Sequence, residues 1–474
     1  MLTRRVFLAG SLGALLPAVA VQPLNAAQNP SFRITPKPSK AYLLEDQAAE
    51  TAVWAYDGLV PGPAIHAKKG EEISIEVKNL LEQPTTVHWH GIRIDNAMDG
   101  VAGLTQAPIQ PGESFTYRFT PPDAGTYWYH PHNRTWEQLA RGLYGTLIVE
   151  GDAAKADFDR DYSIVADDWR LENHGSIHEA SFRSMHDWSH AGRLGNILTL
   201  NGKPYERLDV IPGERVRLRF VNTSNARVMK FALADHETIL VALDGQPVQP
   251  VGLGNEGITL APAQRADLMV DIEGQVGDEI AILETSSAES LVAGYLVCRS
   301  GTDSRSSDRG PVKLVSNTIP DPDLSKARVI ELVMSGGAMR FLTSASYKGK
   351  ILDGRSLARE HQQVWAFNGV AGMSDKPLFS VAQGETVKIN MVNDTAWPHA
   401  IHLHGHHFRI LSRKRGTIQK EDYEIGTFRD TVLLDRDEMV EISLVVDNPG
   451  KWMVHCHMLE HQAAGMATWF EVSQ

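Results

Sequence analysis

The sequence predicts an all-β protein built from three tandem Greek-key β-sandwich domains. One pattern occurs three times, at 70–79, 213–222 and 384–393: each copy begins with Gly-Glu, alternates apolar and polar residues, and ends with an Asn nine positions after the glycine. Alternation with period two indicates a β-strand entered from a turn. The 39 glycines, the 24 prolines and the lack of convincing amphipathic helices also favour sandwiches.

The spacing of the three copies predicts where the domains lie. A chain of 474 residues suits about three domains of ordinary size, and the copies lie roughly one domain length apart. We therefore expect domains at 28–155, 156–315 and 316–474, after a separate N-terminal segment.

The N-terminal segment, residues 1–27, is typical of an export signal. Arg4 and Arg5 precede a charge-free apolar run, 6–21, which ends shortly before Asn25-Ala26-Ala27. The run is short for a membrane span, and residues 3–8 resemble a twin-arginine signal. An ordinary secretory signal is the alternative. Either route engages export machinery and places the mature chain outside the cytoplasm, in the periplasm for the twin-arginine route, without a membrane span of its own.

The charge of the chain bears on its partners. The formal net charge is −12 and the pI is near 5.9. Binding to nucleic acid without regard to base sequence requires an excess of positive charge to neutralise the phosphates. This chain is negatively charged, so nucleic acid is not an expected partner.

Histidines concentrate in four short segments. Of 19 histidines, twelve lie in these segments, and one of the chain's two cysteines lies there as well. In an exported protein the two cysteines could form a disulfide, Cys298 with Cys456, but dense histidine clusters around Cys456 indicate metal ligands instead. Cys298 is then expected to be a buried free thiol. The four segments are 88–90, 130–132, 399–407 and 455–461.

The repeats place these histidines at equivalent positions in the first and third domains. His88 and His90 lie nine and eleven residues after the shared Asn, as do His402 and His404, whereas the second domain has Phe and Leu there. A later strand follows the same rule: the pairs His130/His132 and His455/His457 each lie five and seven residues after a glycine. We therefore expect the first and third domains to share one metal cluster, with the second domain as a spacer.

Strand geometry separates a second metal site from that cluster. Side chains alternate between the two faces of a strand, so Cys456 points away from His455 and His457. By the same parity His399 joins the cysteine's side, and His461 and Met466 follow within reach of a returning loop. A thiolate, two imidazoles and a weak thioether form the ligand set of a blue-copper electron-transfer site.

Four motifs, HWHG, HPH, HAIHLHG and HCHMLEHQAAGM, resemble the copper signatures of the multicopper oxidases, the family that includes laccases and bacterial copper-efflux oxidases. The resemblance covers the whole mature chain and implies three cupredoxin domains and four copper ions. It also implies the reaction, in which a reducing substrate gives single electrons to the type 1 copper and dioxygen is reduced to two waters. The implied ligands are His399, Cys456, His461 and axial Met466 for type 1; His88 and His402 for type 2; and His90, His130, His132, His404, His455 and His457 for the type 3 pair.

Proteins of other classes share parts of this pattern. A non-catalytic cupredoxin assembly or cell-division factor lacks copper ligands, a copper-storage protein needs no cysteine between cluster ligands, and a copper nitrite reductase lacks the paired His-x-His motifs. The complete motif set favours an oxidase over all three.

The substrate is predicted less directly. Laccase-like oxidation of phenols or aromatic amines and oxidation of cuprous ion use the same coppers, but copper-efflux oxidases typically carry a methionine-rich insert. Between 333 and 373 this chain has only Met334, Met339 and Met373. We expect an organic reductant, with cuprous ion as the alternative.

One acidic residue is a candidate for proton delivery. Asp99 follows the first motif and is similar in position to the family's acidic residue near the cluster, where a carboxylate relays protons. The alternative is a turn-forming Asp before Gly100. Many bacterial relatives carry a second acid after the last type 1 histidine, where this chain has Gln462.

Two further features lie outside the ligand set. His406 and His407 are expected to support the site, because the ligand set is complete without them. The segment 185–190, Met-His-Asp-Trp-Ser-His, is expected to be a surface loop, with an extra copper or substrate contact as the alternative.

Overall fold

The computed structural model describes residues 31–45, 49–151, 158–301, 314–419 and 423–474. The predicted export segment 1–27 and the predicted boundary between 155 and 156 lie outside these residues. The boundary at 315 and 316 falls in a segment without regular secondary structure, 314–323. Within the described ranges, no helix is both long and apolar enough to cross a bilayer.

The first domain packs a three-stranded sheet, in the order β1-β5-β7, against a four-stranded sheet, β4-β9-β8-β6, with β2 and β3 as a separate hairpin. Antiparallel pairing predominates. The edge strands β1 and β4 pair in parallel with β5 and β9. The strands are β1 Phe32–Ile34, β2 Pro36–Ala41, β3 Thr51–Tyr56, β4 Ile65–Lys68, β5 Ile73–Lys78, β6 His88–His90, β7 Ser114–Phe119, β8 Gly125–His130 and β9 Gly145–Glu150.

The second domain packs a six-stranded sheet, β11-β10-β13-β18-β15-β16, against a five-stranded sheet, β12-β20-β19-β14-β17. Its strands are β10 Arg160–Trp169, β11 Ile197–Leu200, β12 Glu206–Val210, β13 Arg215–Asn222, β14 Met229–Leu233, β15 Ile239–Leu243, β16 Gln246–Gly252, β17 Ile258–Leu260, β18 Arg265–Asp271, β19 Glu279–Glu284 and β20 Leu291–Cys298.

The third domain packs a seven-stranded sheet, β24-β21-β26-β32-β28-β29 with β30 beside β28, against a five-stranded sheet, β25-β34-β33-β27-β31, and adds a β22-β23 hairpin. Its strands are β21 Arg328–Gly336, β22 Ser344–Tyr347, β23 Lys350–Asp353, β24 Trp365–Phe367, β25 Ser380–Ala382, β26 Thr386–Thr395, β27 His399–Leu403, β28 Phe408–Arg415, β29 Ile418–Gln419, β30 Phe428–Arg429, β31 Thr431–Leu434, β32 Glu438–Val445, β33 Gly450–Cys456 and β34 Ala467–Ser473.

Helices are few and short among the described residues. They are α1 Thr135–Gln138, α2 Met185–Ser189, α3 Gly354–His361 and α4 Leu459–Ala463, with 3-10 turns at Asn96–Met98, Glu179–Ser181 and Leu324–Lys326. The paired sheets confirm the predicted all-β sandwich class.

The repeated Asn of the sequence pattern has a structural reason. Asn79, Asn222 and Asn393 are buried at the ends of β5, β13 and β26. Each side-chain amide donates to a backbone carbonyl four or five residues later and to another carbonyl at least 30 residues away, and each Oδ1 accepts the N–H two residues later. Buried backbone groups need such partners, so the amide holds the same turn closed in all three domains.

The largest hydrophobic core crosses the domain borders. It contains Trp128 from the first domain, Trp188 from the second and Trp365 from the third, together with Cys456 and Met466. The thiol therefore lies in a core to which all three domains contribute, whereas the first and second domains also have cores of their own.

Candidate metal centre

Four strands bring the histidine motifs together. In the first domain β6 pairs with β8, so that His88 lies opposite His130, and in the third domain β27 pairs with β33, so that His402 lies opposite His455. The eight histidines of the four His-x-His motifs are all buried. Sheet pairing in two domains thus presents two matching sets of imidazoles to one shared interior.

The imidazoles form three groups in which one ring nitrogen per residue lies within 4.8 Å of the others. Each group takes members from both the first and the third domain, as the repeat predicts. The groups are His88, His90 and His402; His90, His130 and His457; and His132, His404 and His455.

The hydrogen bonds of these rings leave nitrogens free for a metal. His88 Nδ1 donates to the Asp99 carbonyl at 2.8 Å, and His402 Nδ1 donates to the Asp430 carbonyl at 2.9 Å. His90 Nε2 donates to the Asp430 carboxylate at 3.2 Å. The opposite nitrogens, Nε2 of His88 and His402 and Nδ1 of His90, are buried without a partner. Buried polar atoms without a partner are costly, so these three fit a metal ion.

Pairs of Nε2 atoms among the remaining rings lie 3.1 to 3.4 Å apart. His404 Nε2 lies 3.1 Å and His132 Nε2 lies 3.4 Å from His455 Nε2, and His130 Nε2 lies 3.4 Å from His457 Nε2. Burial, reinforced by neighbouring imidazoles, holds the pKa of each of these five rings well below its ordinary value. Neutral imidazole is the form that binds metals, and the donor set suits copper.

The thiol lies in a fourth group on the other side of β33. Cys456 Sγ lies 3.6 Å from His399 Nδ1 and 3.8 Å from His461 Nδ1, and the two nitrogens are 3.0 Å apart. Burial raises the pKa of the Cys456 thiol to about 12 and lowers that of His461 to about 4. A thiolate is stable in this apolar pocket only beside a cation. Met466 is fully buried nearby, and its carbonyl accepts the Cys456 N–H at 3.1 Å.

Asp99 links two of the groups. Its carboxylate accepts from His404 Nδ1 at 3.0 Å, while its carbonyl accepts from His88. It also ends the 3-10 turn Asn96–Met98, and the next residue, Gly100, has a φ of +80° with a Cβ position only 1.8 Å from the Val87 carbonyl oxygen. Asp99 therefore has both of the roles weighed from the sequence: it forms a turn, and its carboxylate contacts the cluster. The turn orients the Asp99 carboxylate towards His404.

Sequence reasoning missed the other carboxylate, Asp430. It accepts from His90, and Arg265 donates to it twice, at 2.9 and 2.7 Å. Burial alone would raise the pKa of Asp430, but Arg265 and His90 hold it well below its ordinary value. Neither residue belongs to a motif, so the sequence carries no local signal for them. Because Arg265 belongs to the second domain, the prediction that this domain is only a spacer is wrong.

The structure also differs from the prediction at 185–190. The sequence predicts a surface loop there, but the segment forms α2, and His461 Nε2 donates to the carbonyl of His190 at 2.7 Å. His461 is fully buried as a result. The second domain thereby shields the ring edge of His461, a candidate ligand, from solvent.

The remaining residues singled out from the sequence lie outside the four groups. His406 and His407 are buried beside the cluster, where His406 contacts the His404 carbonyl and His407 contacts Gln246. Cys298 is buried in β20 of the second domain, and both it and Cys456 are free thiols, so no disulfide joins them.

Comparisons with known proteins agree with this geometry. Family models described as multicopper oxidase match residues 39–154, 160–284 and 347–474. Multicopper oxidase MmcO of Mycobacterium tuberculosis is 31% identical over 97% of this chain and 90% of its own length. Laccase-1 of Cryptococcus neoformans var. grubii is 27% identical over 88% of this chain and 76% of its own.

Solved structures are similar over nearly the whole chain. The multi-copper oxidase of Pseudomonas thermotolerans has a TM-score of 0.80 and 30% identity over 93% of this chain and 98% of its own. Lac15 from a marine microbial metagenome has a TM-score of 0.73 and 36% identity over 93% and 100%. The domains of the present chain are thus cupredoxin-like, and the protein is a copper oxidoreductase that uses oxygen. The chain belongs to the multicopper oxidase family.

Proposed function

We propose that the protein holds four copper ions and couples oxidation of phenols or aromatic amines to the four-electron reduction of dioxygen to water. The ligands would be those implied by the motifs, one type 1, one type 2 and a type 3 pair. When bound, copper supplies one-electron transfer at the thiolate and dioxygen binding among the imidazoles. The observation that carries the proposal is the end of β33, where Cys456, the last residue of the strand, stands directly between His455 and His457.

β33 connects the two chemistries through a few covalent bonds. The Cys456 side chain belongs to the group with His399 and His461, whereas His455 and His457 belong to the two groups on the opposite face. Register supports this division, because Ile401 lies opposite Cys456 and His402 lies opposite His455. Electrons arriving at the thiol thus have a short backbone route to both histidine groups.

Contacts with backbone carbonyls fix the imidazoles of His455 and His130. The Cys456 carbonyl accepts from His455 Nδ1 at 2.9 Å, and the Pro131 carbonyl accepts from His130 Nδ1 at 2.9 Å. Since a carbonyl only accepts, Nδ1 carries the proton and Nε2 remains available as a ligand. The cluster is therefore organised for metal before any metal binds.

The reductant would give its electrons near His190. A cavity of about 630 Å³ lies between α2 and Trp397, and His190, whose carbonyl contacts His461, lines it. The His190 ring lies 5.2 Å from the Trp397 ring and stacks on His186 at 4.1 Å. Aromatic walls suit a flat aromatic reductant.

The same cavity suits cuprous ion poorly. Its lining contains neither methionine nor cysteine, the soft ligands that favour Cu(I). Around it, in the described part of the chain, no three donor atoms of His, Cys, Asp or Glu lie within 4.8 Å of one another. His186 and His190 stack nearly parallel, at 12°, so their nitrogens do not converge.

Protons for water formation would pass through Asp99. Reduction of one dioxygen to two waters consumes four protons, and the neutral imidazoles must keep their nitrogens for copper. Asp99 is 2% exposed and touches members of two histidine groups. Gln462 cannot exchange a proton at neutral pH, which leaves the relay dependent on Asp99.

Export and domain limits complete the proposal. We infer export to the periplasm by the twin-arginine route, directed by 1–27, and domains at 28–155, 156–315 and 316–474. The twin-arginine route carries folded chains, which suits a protein that takes up its metal before crossing the membrane.

Side-by-side reductant assays test the function. The copper-loaded protein is given 2,6-dimethoxyphenol or cuprous ion, and oxygen uptake is recorded together with copper content. We expect four coppers per chain, a blue absorption band and a higher kcat/KM for the phenol. A higher kcat/KM for cuprous ion would overturn the substrate, and absence of the blue band would overturn the type 1 site.

A further inference from the structure

A second cavity, of about 550 Å³, lies where all three domains meet. One wall comes from Arg134 and Trp136 of the first domain and Arg183 of the second. The opposite wall comes from the third domain, with Tyr347 at the end of β22, Lys348 in the turn that follows and His361 at the end of α3.

The cavity is positively charged in a protein that is negative overall. Arg134, Arg183 and Lys348 line it, and no Asp or Glu of the described residues does, whereas the chain carries a formal charge of −12. Arg134 is paired with Glu137, whereas Arg183 and Lys348 are exposed and make no ion pair within the described ranges. Clefts lined by one sign of charge concentrate the opposite ion, so an anionic ligand is favoured.

Each wall pairs its cations with an aromatic ring. The guanidinium carbons of Arg134 and Arg183 both lie 5.4 Å from the centre of the Trp136 ring. On the other wall the Tyr347 ring has Lys348 Nζ at 5.3 Å and the His361 ring at 4.8 Å. A guanidinium binds a carboxylate with two parallel hydrogen bonds, and an aromatic face takes a flat ring. Together the walls match an aromatic carboxylate.

The floor of the cavity reaches the histidine cluster. His132, which groups with His404 and His455, lines it and is 5% exposed. Gln363 also lines it, with a buried Oε1 that has no partner. A ligand in the cavity would therefore lie between solvent and His132.

We propose that this cavity binds a small aromatic carboxylate and that occupancy restricts the passage of dioxygen to the cluster. The binding part stands on the cavity alone, whereas the effect on dioxygen rests on the proposed function. The carboxylate forms no bond with copper and undergoes no reaction.

Calorimetric titration of the copper-loaded protein tests the binding. We expect benzoate to bind, and benzamide, the uncharged analogue, to bind at least about tenfold more weakly. The variants Arg183→Glu and Lys348→Glu should each raise the Kd of benzoate by about tenfold or more, as a reversed charge near the carboxylate requires. Lys350→Glu is the matched control, since Lys350 lies in β23 of the same hairpin, is exposed and does not line the cavity.

Three results would overturn the site. They are equal affinities for benzoate and benzamide, equal benzoate affinities in Lys348→Glu and Lys350→Glu, and a benzoate-induced change in the electron paramagnetic resonance spectrum of the type 2 copper, which would place benzoate on the metal. Chloride tests a site for any small anion: if it displaces benzoate at equal concentration, the aromatic component of the proposal is wrong.

Stopped-flow reoxidation tests the effect on dioxygen. In protein reduced without oxygen, benzoate should slow recovery of the blue band after mixing with dioxygen, but leave anaerobic bleaching by 2,6-dimethoxyphenol unchanged. In Lys348→Glu the same slowing should need about tenfold more benzoate. Binding without slower recovery would overturn the access role, whereas a protein without a blue band would overturn the proposed function and leave the calorimetric result standing.

Discussion

Replacing Asp430 by Asn removes the one negative charge among the described residues that contacts both Arg265 and His90. Arg265 donates to the Asp430 carboxylate at 2.9 and 2.7 Å, and His90 Nε2 donates to it at 3.2 Å. The Asp430 and Arg265 side chains are both fully buried. The three residues belong to three different domains, so the carboxylate joins the domains as well as the cluster.

The size of the effect follows from this burial. Removing one partner of a buried ion pair leaves an uncompensated charge and costs about 3–5 kcal/mol. Asp244, 3.5 Å from Arg265, compensates in part, so we expect the lower end, about 3 kcal/mol in the free energy of unfolding. Loss of the contact that orients a ligand histidine typically lowers metal affinity about 10–100-fold.

Denaturant unfolding and competitive copper titration measure the two effects. Asp209→Asn is the matched control, because Asp209 also pairs with an arginine, Arg299, but at the surface, where such pairs contribute about 0–1 kcal/mol. We expect the control to keep its copper affinity. Equal stability losses in the two variants, with unchanged copper affinity in Asp430→Asn, would refute the reasoning.

Three further predictions concern the thiol, the proton route and pH. Cys456→Ser should abolish both the blue band and oxidase activity. Cys298→Ser should keep both, because Cys298 is buried in β20 away from the four groups. A blue Cys456→Ser protein would contradict the assignment of the thiol. Asp99→Asn should leave copper content and reduction of the blue centre nearly unchanged but slow reoxidation by dioxygen, most at higher pH; recovery that is unaltered at every pH would leave Asp99 with the turn alone. Burial, with Asp168 nearby, raises the pKa of Asp167 to about 8 from its ordinary 3.8. The folded state therefore holds a proton at Asp167 that the unfolded chain releases, so the stability contributed by Asp167 should be lost as pH rises from about 4 to about 8. The free energy of unfolding of the wild type relative to Asp167→Asn should therefore fall over this range, and a difference that stays constant with pH would show the pKa shift to be absent.

The sequence predicted the features that repeat or alternate. Gly-Glu strands ending in Asn predicted three sandwiches, and the structure explains the Asn through the same amide contacts in each domain. Period-two alternation predicted that Cys456 faces away from His455 and His457, and the groups in the structure have this division. Such inferences succeed because strand geometry is local.

Contacts between residues far apart in sequence were not predictable in this way. Arg265 meets Asp430 across 165 residues, and His190 meets His461 across 271. Neither pair follows a period or motif, and the packing of domains against one another decides them. The sequence therefore predicts that the second domain is a spacer. In the structure it contributes the buried Arg265 beside the histidine cluster, and His190, which shields His461 in the thiol group.

The stoichiometry of turnover tests the central claim most directly. Oxygen uptake and oxidised 2,6-dimethoxyphenol are measured in the same vessel, with hydrogen peroxide assayed at the end. Because β33 joins a one-electron thiolate site to two histidine groups that share one interior, we predict four electrons from the phenol per dioxygen and no peroxide. Two electrons per dioxygen, with peroxide accumulating in equal amount, would contradict the account.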